Sequence, residues 1–212
     1  MAAKTCDAVR RIAQDAPLRD LALRCAGTFL NFALAVFNAV VAQIQSSLWN
    51  HVMAGYFVVL TFLGSWVAMC MKRPDRYSAR SVLYVCSFFM CALAIALGVL
   101  MGVCIGQHHS EQLPEILMIA MAAFTFCTTA VAVMDATRTH NGLPLQQVIA
   151  RVSIAGAVGA VLVLEIQMLG TFGDPAGQLA FTIEAISGVV AVAVVFLMGL
   201  SLFRHANILS QN

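Results

Sequence analysis

Six long apolar runs limit most strongly how this chain can fold. They lie near Leu21–Ile44, Trp49–Met71, Ser81–Gly106, Pro114–Met134, Leu145–Leu169 and Gln178–Phe203. A helix needs about 20 residues to cross a bilayer, and each run has that length. Backbone groups in hydrocarbon must be hydrogen-bonded within their own segment, and the alternation typical of barrel strands does not occur, so each run should be a helix. The sequence therefore predicts an all-α, polytopic membrane protein, a bundle of six transmembrane helices.

The composition indicates that lipid rather than water covers most of the surface. Hydrophobic residues make up 61% of the 212 residues and charged residues 10%, and the mean hydropathy is +0.87. Soluble domains carry about 25% charged residues, so this chain is too poor in charge to cover a surface that faces water. The lipid bilayer is therefore the first expected partner, and the length fits one domain.

We divide the chain into three parts. Residues 1–20 form a polar N-terminal segment, in which Thr5–Gln14 is either a helix lying on the membrane surface or a tail. Residues 21–204 form the transmembrane domain, and residues 205–212 form a short tail.

The distribution of basic residues predicts the orientation of the chain. All 12 lysines and arginines fall on one side of the predicted spans. They are Lys4, Arg10, Arg11, Arg19, Arg24, Lys72, Arg73, Arg76, Arg80, Arg138, Arg151 and Arg204. The three connections on the other side, Gln45–Leu48, Gln107–Leu113 and Gly170–Gly177, contain none. Because basic residues accumulate in cytoplasmic connections, both termini are predicted to be cytoplasmic.

Short connections and small residues predict how the helices pack. Consecutive helices should be antiparallel neighbours, which gives three hairpins. Two spans carry small residues at the spacing that lets helix backbones approach closely. They are Gly98, Gly102 and Gly106 in the third span, and Ala155, Gly156, Gly159 and Ala160 in the fifth. Such faces suit packing within the monomer, which we prefer, or a homo-oligomer interface.

Polar residues recur on one face of the first span and of the fifth. Arg24, Asn31 and Asn38 are seven residues apart, nearly two helical turns, so they lie close to one face. Arg151 and Glu165 are separated by almost four turns and share a face of the fifth span. Gln167 lies in the same span. The sixth span adds one more acid, Glu184. Together these side chains suggest a polar path, acidic towards the outside and basic towards the cytoplasm.

Two interpretations of these intramembrane charges are open. A charge inside a span costs roughly 2.5–3.5 kcal/mol on insertion scales, so it needs a partner, water or a function. If Glu165 and Glu184 lie close together, their repulsion raises one pKa and creates a proton or cation site. Alternatively each charge is satisfied separately. Arg151 pairs with Asp135 or bonds to carbonyls at the inner end, and Arg24 extends towards Asp20 and the lipid headgroups. The two glutamates share a proton or reach interfacial water.

The sequence offers little for a metal, a cofactor, an enzyme or nucleic acid. His108, His109 and Glu111 in one outer connection are weak candidates for metal ligands, because adjacent histidines usually point apart. We predict no metal and no cofactor. The motifs of zinc proteases, serine hydrolases and phosphate-binding loops do not occur, so we do not expect an enzyme. The basic connection around Lys72–Arg76 suits lipid headgroups better than nucleic acid.

Several short patterns resemble a group of small bacterial integral membrane proteins with six predicted transmembrane helices. The patterns are Asn38 followed by Ser47-x-Trp49 and Tyr56-x3-Leu60, then Ala123-Phe124-Thr125-Phe126, Arg151-x-Ser153 and Glu165-x-Gln167-Met168-Leu169. The resemblance implies a six-span protein of the bacterial cell membrane. The group has no known activity, so the resemblance supports the fold and adds nothing on mechanism.

Two functional hypotheses follow from the residues. The first is transport or permeation of a small solute or cation through an acidic site in the outer leaflet. It predicts that Glu165, Glu184, Asn38 and Arg151 face one interior cavity. The alternative is a non-catalytic partner or scaffold subunit of a membrane complex, in which the same groups are paired and dry. An intramembrane enzyme acting on lipid is the weakest of the possibilities.

Overall fold

The computed structural model describes residues 16–72, 78–107, 114–138, 144–172 and 178–208, and every regular element in these ranges is an α-helix. The helices are α1 (Ala16–Gln45), α2 (Leu48–Lys72), α3 (Ala79–Gln107), α4 (Glu115–Arg138), α5 (Pro144–Phe172) and α6 (Gln178–Ile208). All six are long and apolar enough to cross a membrane. The prediction of an all-α fold with six long apolar helices is confirmed within these ranges. The suggested helix at Thr5–Gln14 lies outside the described residues.

A tight turn joins α1 to α2. Ser46 has a φ of 53°, and the Ser47 backbone N–H donates to the Ala42 carbonyl at 3.2 Å, which closes the end of α1. The Ser47 hydroxyl then accepts a hydrogen bond from the Asn50 backbone N–H at 3.1 Å, which caps the start of α2. This local geometry folds α1 and α2 into the first predicted hairpin.

The prediction of three consecutive hairpins is wrong for the middle pair. Within the described ranges α3 makes no contact with α4, and its most extensive contact is with α6. The α3–α6 pair is antiparallel: Tyr84 donates to Asn207 at one end, and the Ser87 hydroxyl donates to the Gly199 carbonyl at 2.7 Å. Further along, Gly98 faces Val192. The closest partner of α4 is α5 instead.

Helix α5 lies at the centre of the bundle. It contacts each of the other five helices, and it has the largest buried share of the six. Its small residues make this possible. The hydroxyl of Tyr56 on α2 donates to the Ala155 carbonyl at 2.9 Å, and the Tyr56 ring lies against Gly159. The small-residue face of α5 is therefore used inside the monomer, whereas Gly102 on α3 has open space beside it.

Two ends of the bundle are defined by the helix contacts. Gly27 near the start of α1 lies beside Ser153 of α5 and Asp135 of α4, and Gly64 of α2 lies beside Thr28. Only five residues separate α2 from Ser78, a reach of at most about 20 Å, so α3 starts at this same end. We call it the basic end, because the Lys and Arg positions on the helices all belong to it. The other end holds the α1–α2 turn.

The outer surface of the bundle is apolar. Large hydrophobic side chains stand exposed on every helix, for example Phe29, Phe62, Phe88, Phe126, Val161 and Val189. Single exposed apolar residues are normal in soluble proteins, but a surface of this kind on six long helices suits contact with lipid.

Candidate functional site

A lateral groove of about 540 Å³ lies between α4, α5 and α6. α4 and α6 do not touch in the described ranges, so α5 forms the floor of the groove and the other two helices form its walls. The floor residues are Ile154, Ala157, Val158, Val161, Leu162 and Glu165. The walls are Thr129, Ala132, Val133, Ala136 and Thr137 on α4, and Ser187, Val190, Ala191 and Val194 on α6.

The groove opens sideways, towards the surface that lipid would cover. Val133, Val161 and Val190 in its lining are 57%, 46% and 55% exposed. The floor residues repeat at intervals of three and four, which places them on one stripe of α5. This stripe is free because α5 uses its other faces against α1, α2 and α3.

Glu165 is the one charged residue in the groove lining. Its side chain is partly buried, and none of the described residues forms a hydrogen bond or an ion pair with its carboxylate. Val158 and Leu162, about two turns and one turn before Glu165 on α5, line the groove with it. The lateral groove is therefore mostly apolar, with a single acid near one end.

Ser187 on α6 adds a hydroxyl to the groove lining. Its Oγ donates to the Glu184 backbone carbonyl at 3.2 Å, so the lone pairs of Oγ are available to a donor. Glu184 itself is partly buried, but it does not line the groove. The close pairing of Glu165 with Glu184 therefore stays a prediction.

The other predicted polar residues belong to a different part of the bundle. Asn38 and Arg151 do not line the groove, and neither do Asn31 and Gln167. The groove thus separates Glu165 from the rest of the group that was expected to face one cavity. Helix geometry explains the separation from Gln167: two residues along a helix turn the side chain by about 200°, onto the opposite face.

Four side-chain amides are buried on α1, α2 and α5. We call them the amide column: Asn31, Asn38, Asn50 and Gln167, each at most 3% exposed. The Gln167 amide donates to Asn50 Oδ1 at 3.2 Å, which joins α5 to α2. The Asn50 amide donates in turn to the Ser47 hydroxyl at 3.1 Å. The column therefore ties the capped start of α2 to the central helix.

The two α1 amides are held differently. Asn38 donates to the Leu34 carbonyl of its own helix at 2.8 Å, and the Asn31 amide packs against Gly156 of α5. Asn31 Oδ1, Asn38 Oδ1 and Gln167 Oε1 have no hydrogen-bond partner among the described residues. Asn31 and Asn38 are about 10 Å apart along α1, so their oxygens are not gathered around one ligand. We interpret the column as a polar contact between helices.

A second polar contact joins α4 and α5 near the basic end. The Ser153 hydroxyl donates to Asp135 Oδ2 at 2.7 Å, and both residues are buried. Arg151 is partly buried, forms no ion pair with a described carboxylate, and leaves its Nη1 without a hydrogen-bond partner among these residues. The suggested Arg151–Asp135 pair does not occur among the described residues, and Asp135 accepts a hydrogen bond from Ser153. The Arg24 side chain lies outside the described part of the chain.

The weak metal candidates His108, His109 and Glu111 also lie outside the described residues. Within the described ranges, no group of three or more His, Cys, Asp or Glu side chains has the spacing of a metal site. The arrangement around Glu165 likewise provides a single carboxylate, which suits an organic cation better than a metal that needs several ligands.

Sequence reasoning missed Asn50, Ser47 and Ser187. A signal existed for the first two, because a serine three residues before a polar residue at a helix start is a common cap. Ser187 carried no signal of its own. Its place in the groove follows from the packing of α6 on α5, and no local pattern specifies that packing.

Comparisons with protein-family models, with curated proteins and with solved structures found no match to this chain. The resemblance to small six-span bacterial membrane proteins therefore stays a prediction. Any functional conclusion depends on the groove and on the polar contacts.

Proposed function

We propose that this protein transports a small cationic solute, with Glu165 as the acid that binds it. The supporting observation is that Glu165 is the one charge in the lining of an otherwise apolar groove and has no partner among the described residues. An acid within a membrane span is costly, and such residues commonly mark ion or substrate pathways. A cation in the groove offsets that cost.

The orientation proposed for the bundle places both termini and the basic end in the cytoplasm of a bacterial cell. The support is the segregation of all 12 basic residues to that side. Glu165 then stands in the outer leaflet, within reach of a cation that arrives from outside or from the lipid.

The amide column has a supporting role in this proposal. Its residues hold α1 and α2 against α5, and α5 carries Glu165 on its opposite stripe. This differs from the hypothesis drawn from the sequence, in which Asn38, Arg151 and the two glutamates act as one site. In the present proposal Glu165 alone binds the cationic solute, and the amide column holds α5 in place.

A flux screen in proteoliposomes tests the proposal. Wild-type protein should carry at least one member of a panel of alkali cations, small organic ammonium ions and alkylammonium ions. Glu165→Gln should lower that flux by at least about tenfold, because a charge-assisted contact worth over 1.4 kcal/mol is lost. Glu184→Gln makes the same chemical change outside the groove lining and serves as the matched control, with most of the flux retained.

Two results would contradict the proposal. Equal flux through wild type and Glu165→Gln would show that this acid does not bind the solute. No flux of any cation, from protein shown to be folded and correctly inserted, would favour the alternative of a scaffold or partner subunit.

A further inference from the structure

The shape of the lateral groove narrows the class of cation. Its floor runs from Ile154 to Glu165, about 16 Å along α5. The groove volume of about 540 Å³ falls in the range of small-molecule sites.

The lining of the groove suits a hydrocarbon chain. Among the fifteen lining residues, Glu165 is the one that carries a charge, and Ser187 carries a hydroxyl. The other thirteen are apolar except for Thr129 and Thr137. Thr129 and Thr137 hydroxyls donate to carbonyls of their own helix, at 2.8 and 3.0 Å, so they place no unsatisfied donor in the groove. Its lateral opening gives a chain direct entry from the bilayer.

The depth of Glu165 matches that of a headgroup held slightly below the membrane surface. Glu165 lies about 10 Å along α5 from the midpoint of the span Leu145–Phe172, and the hydrocarbon core extends about 15 Å from its centre. Ser187 lies about 9 Å along α6 from the midpoint of Gln178–Ile208. A carboxylate and a hydroxyl thus stand at similar heights, about 5–6 Å inside the boundary.

The charge at this end of the bundle excludes most lipid headgroups. Glu165 provides a negative charge, while the connections Gln45–Leu48, Gln107–Leu113 and Gly170–Gly177 contain no Lys or Arg. A phosphate or sulfate group would find no Lys or Arg in these connections and would be repelled by the carboxylate. An ammonium group has both an anionic partner and a hydroxyl acceptor.

We propose that the lateral groove binds a single-chain amphiphile whose only charge is an ammonium headgroup, with the alkyl chain along α5 and the ammonium at Glu165 and Ser187. This deepens the proposed function, on which it rests, by naming a long-chain amine as the solute. The chain gains little from leaving the lipid, which is as apolar as the groove, so the headgroup determines selectivity.

Photolabelling in nanodiscs of neutral lipid tests the proposal. The probes are a dodecylammonium, a dodecyl sulfate and a dodecanol, each with a diazirine in the chain, and modified residues are mapped by mass spectrometry. The ammonium probe should label Val133 and Val190 at least about tenfold more than the lipid-facing residues Phe62 and Val99 outside the groove. The sulfate and alcohol probes should show no such preference.

Two variants locate the contacts. Glu165→Gln should reduce groove labelling by the ammonium probe to the level of the alcohol probe. Val161→Trp fills the groove floor and should abolish labelling at Val133 and Val190, whereas Val99→Trp, at an exposed position of α3, should not. Monodisperse elution of each variant shows that it is folded, and Ser187→Ala provides a milder second change that should weaken labelling.

The outcomes separate this inference from the proposed function. Groove labelling that depends on Glu165 supports the long-chain amine even if no flux is seen. Equal labelling by the sulfate probe, or by a diazirine phosphatidylethanolamine, overturns it. Flux of small cations that depends on Glu165, without groove labelling by the ammonium probe, also overturns it and leaves the transport proposal standing.

Discussion

The side-chain amide of Asn31 on α1 lies against Gly156 on α5, in the space that a Cβ at position 156 would occupy. Asn31 is 3% exposed, so its amide has little room to turn away. The approach of α1 to α5 therefore depends on a residue without a side chain at this point.

Gly156→Ala should destabilise the protein by about 1–3 kcal/mol, the usual cost of overpacking, despite the better helix propensity of alanine. The measurement is unfolding in mixed micelles with increasing dodecyl sulfate. Gly102→Ala is the control, because Gly102 has no atom within 4 Å of a Cβ, and it should be neutral or slightly stabilising. Adding Asn31→Ala should recover much of the loss; if it recovers none, the amide is not the obstacle.

The hydrogen bond from Gln167 to Asn50 should couple α5 to α2. A double-mutant cycle with Gln167→Ala and Asn50→Ala should give a coupling energy of about 0.6 kcal/mol, and no more than about 1.7, the range found for hydrogen bonds between membrane helices. The same unfolding assay measures it. The Ser87 hydroxyl donates to the Gly199 carbonyl of α6 and not to Gln167. A cycle with Gln167→Ala and Ser87→Ala should therefore show no coupling. Additive effects for the first pair would argue against this contact.

Ser46→Gly should stabilise the protein by about 0.5–1 kcal/mol. A left-handed backbone costs a non-glycine residue roughly 1–2 kcal/mol, and the extra freedom of glycine in the unfolded chain removes part of the gain. Ser78→Gly is a matched control, since Ser46 is the one non-glycine residue with positive φ in the described ranges. Ser78→Gly should be neutral or slightly destabilising. A lower unfolding midpoint for Ser46→Gly would contradict the turn geometry.

Thiol labelling should show the orientation of the bundle. In a background without the natural cysteines, Ser46→Cys and Ser78→Cys place one exposed thiol at each end. A membrane-impermeant maleimide added to intact cells should label the first variant and not the second, which should react only after lysis. The reverse pattern would place the basic end outside and would remove the proposed outer position of Glu165.

The number and position of the spans could be predicted because hydrocarbon acts on each segment separately. A run such as Trp49–Met71 must satisfy its own backbone hydrogen bonds, so its composition alone predicts a helix, and α2 (Leu48–Lys72) agrees to within a residue at each end. The stripe of α5 that carries Glu165 also followed from helical periodicity. Gln167 could have been assigned to the opposite face by the same arithmetic.

The partners of each helix could not be read in this way. Short connections favoured α3 beside α4, but Gly98 and Gly199 let α3 and α6 approach each other closely, and α4 packs on α5 instead. Asp135 illustrates the same point at the level of one residue. The sequence suggested Arg151 as the partner of Asp135, whereas the structure shows a hydrogen bond from the Ser153 hydroxyl to Asp135.

By itself the sequence determined the class of protein, the six helices, the segregation of basic residues to one end and the acid on α5. The tertiary structure decided that α5 lies at the centre, that Asn31 packs on Gly156 and Gln167 bonds to Asn50, and that Glu165 faces a different space. The physical reason is that hydropathy and periodicity are properties of one segment, whereas packing depends on how the surfaces of two distant segments fit together.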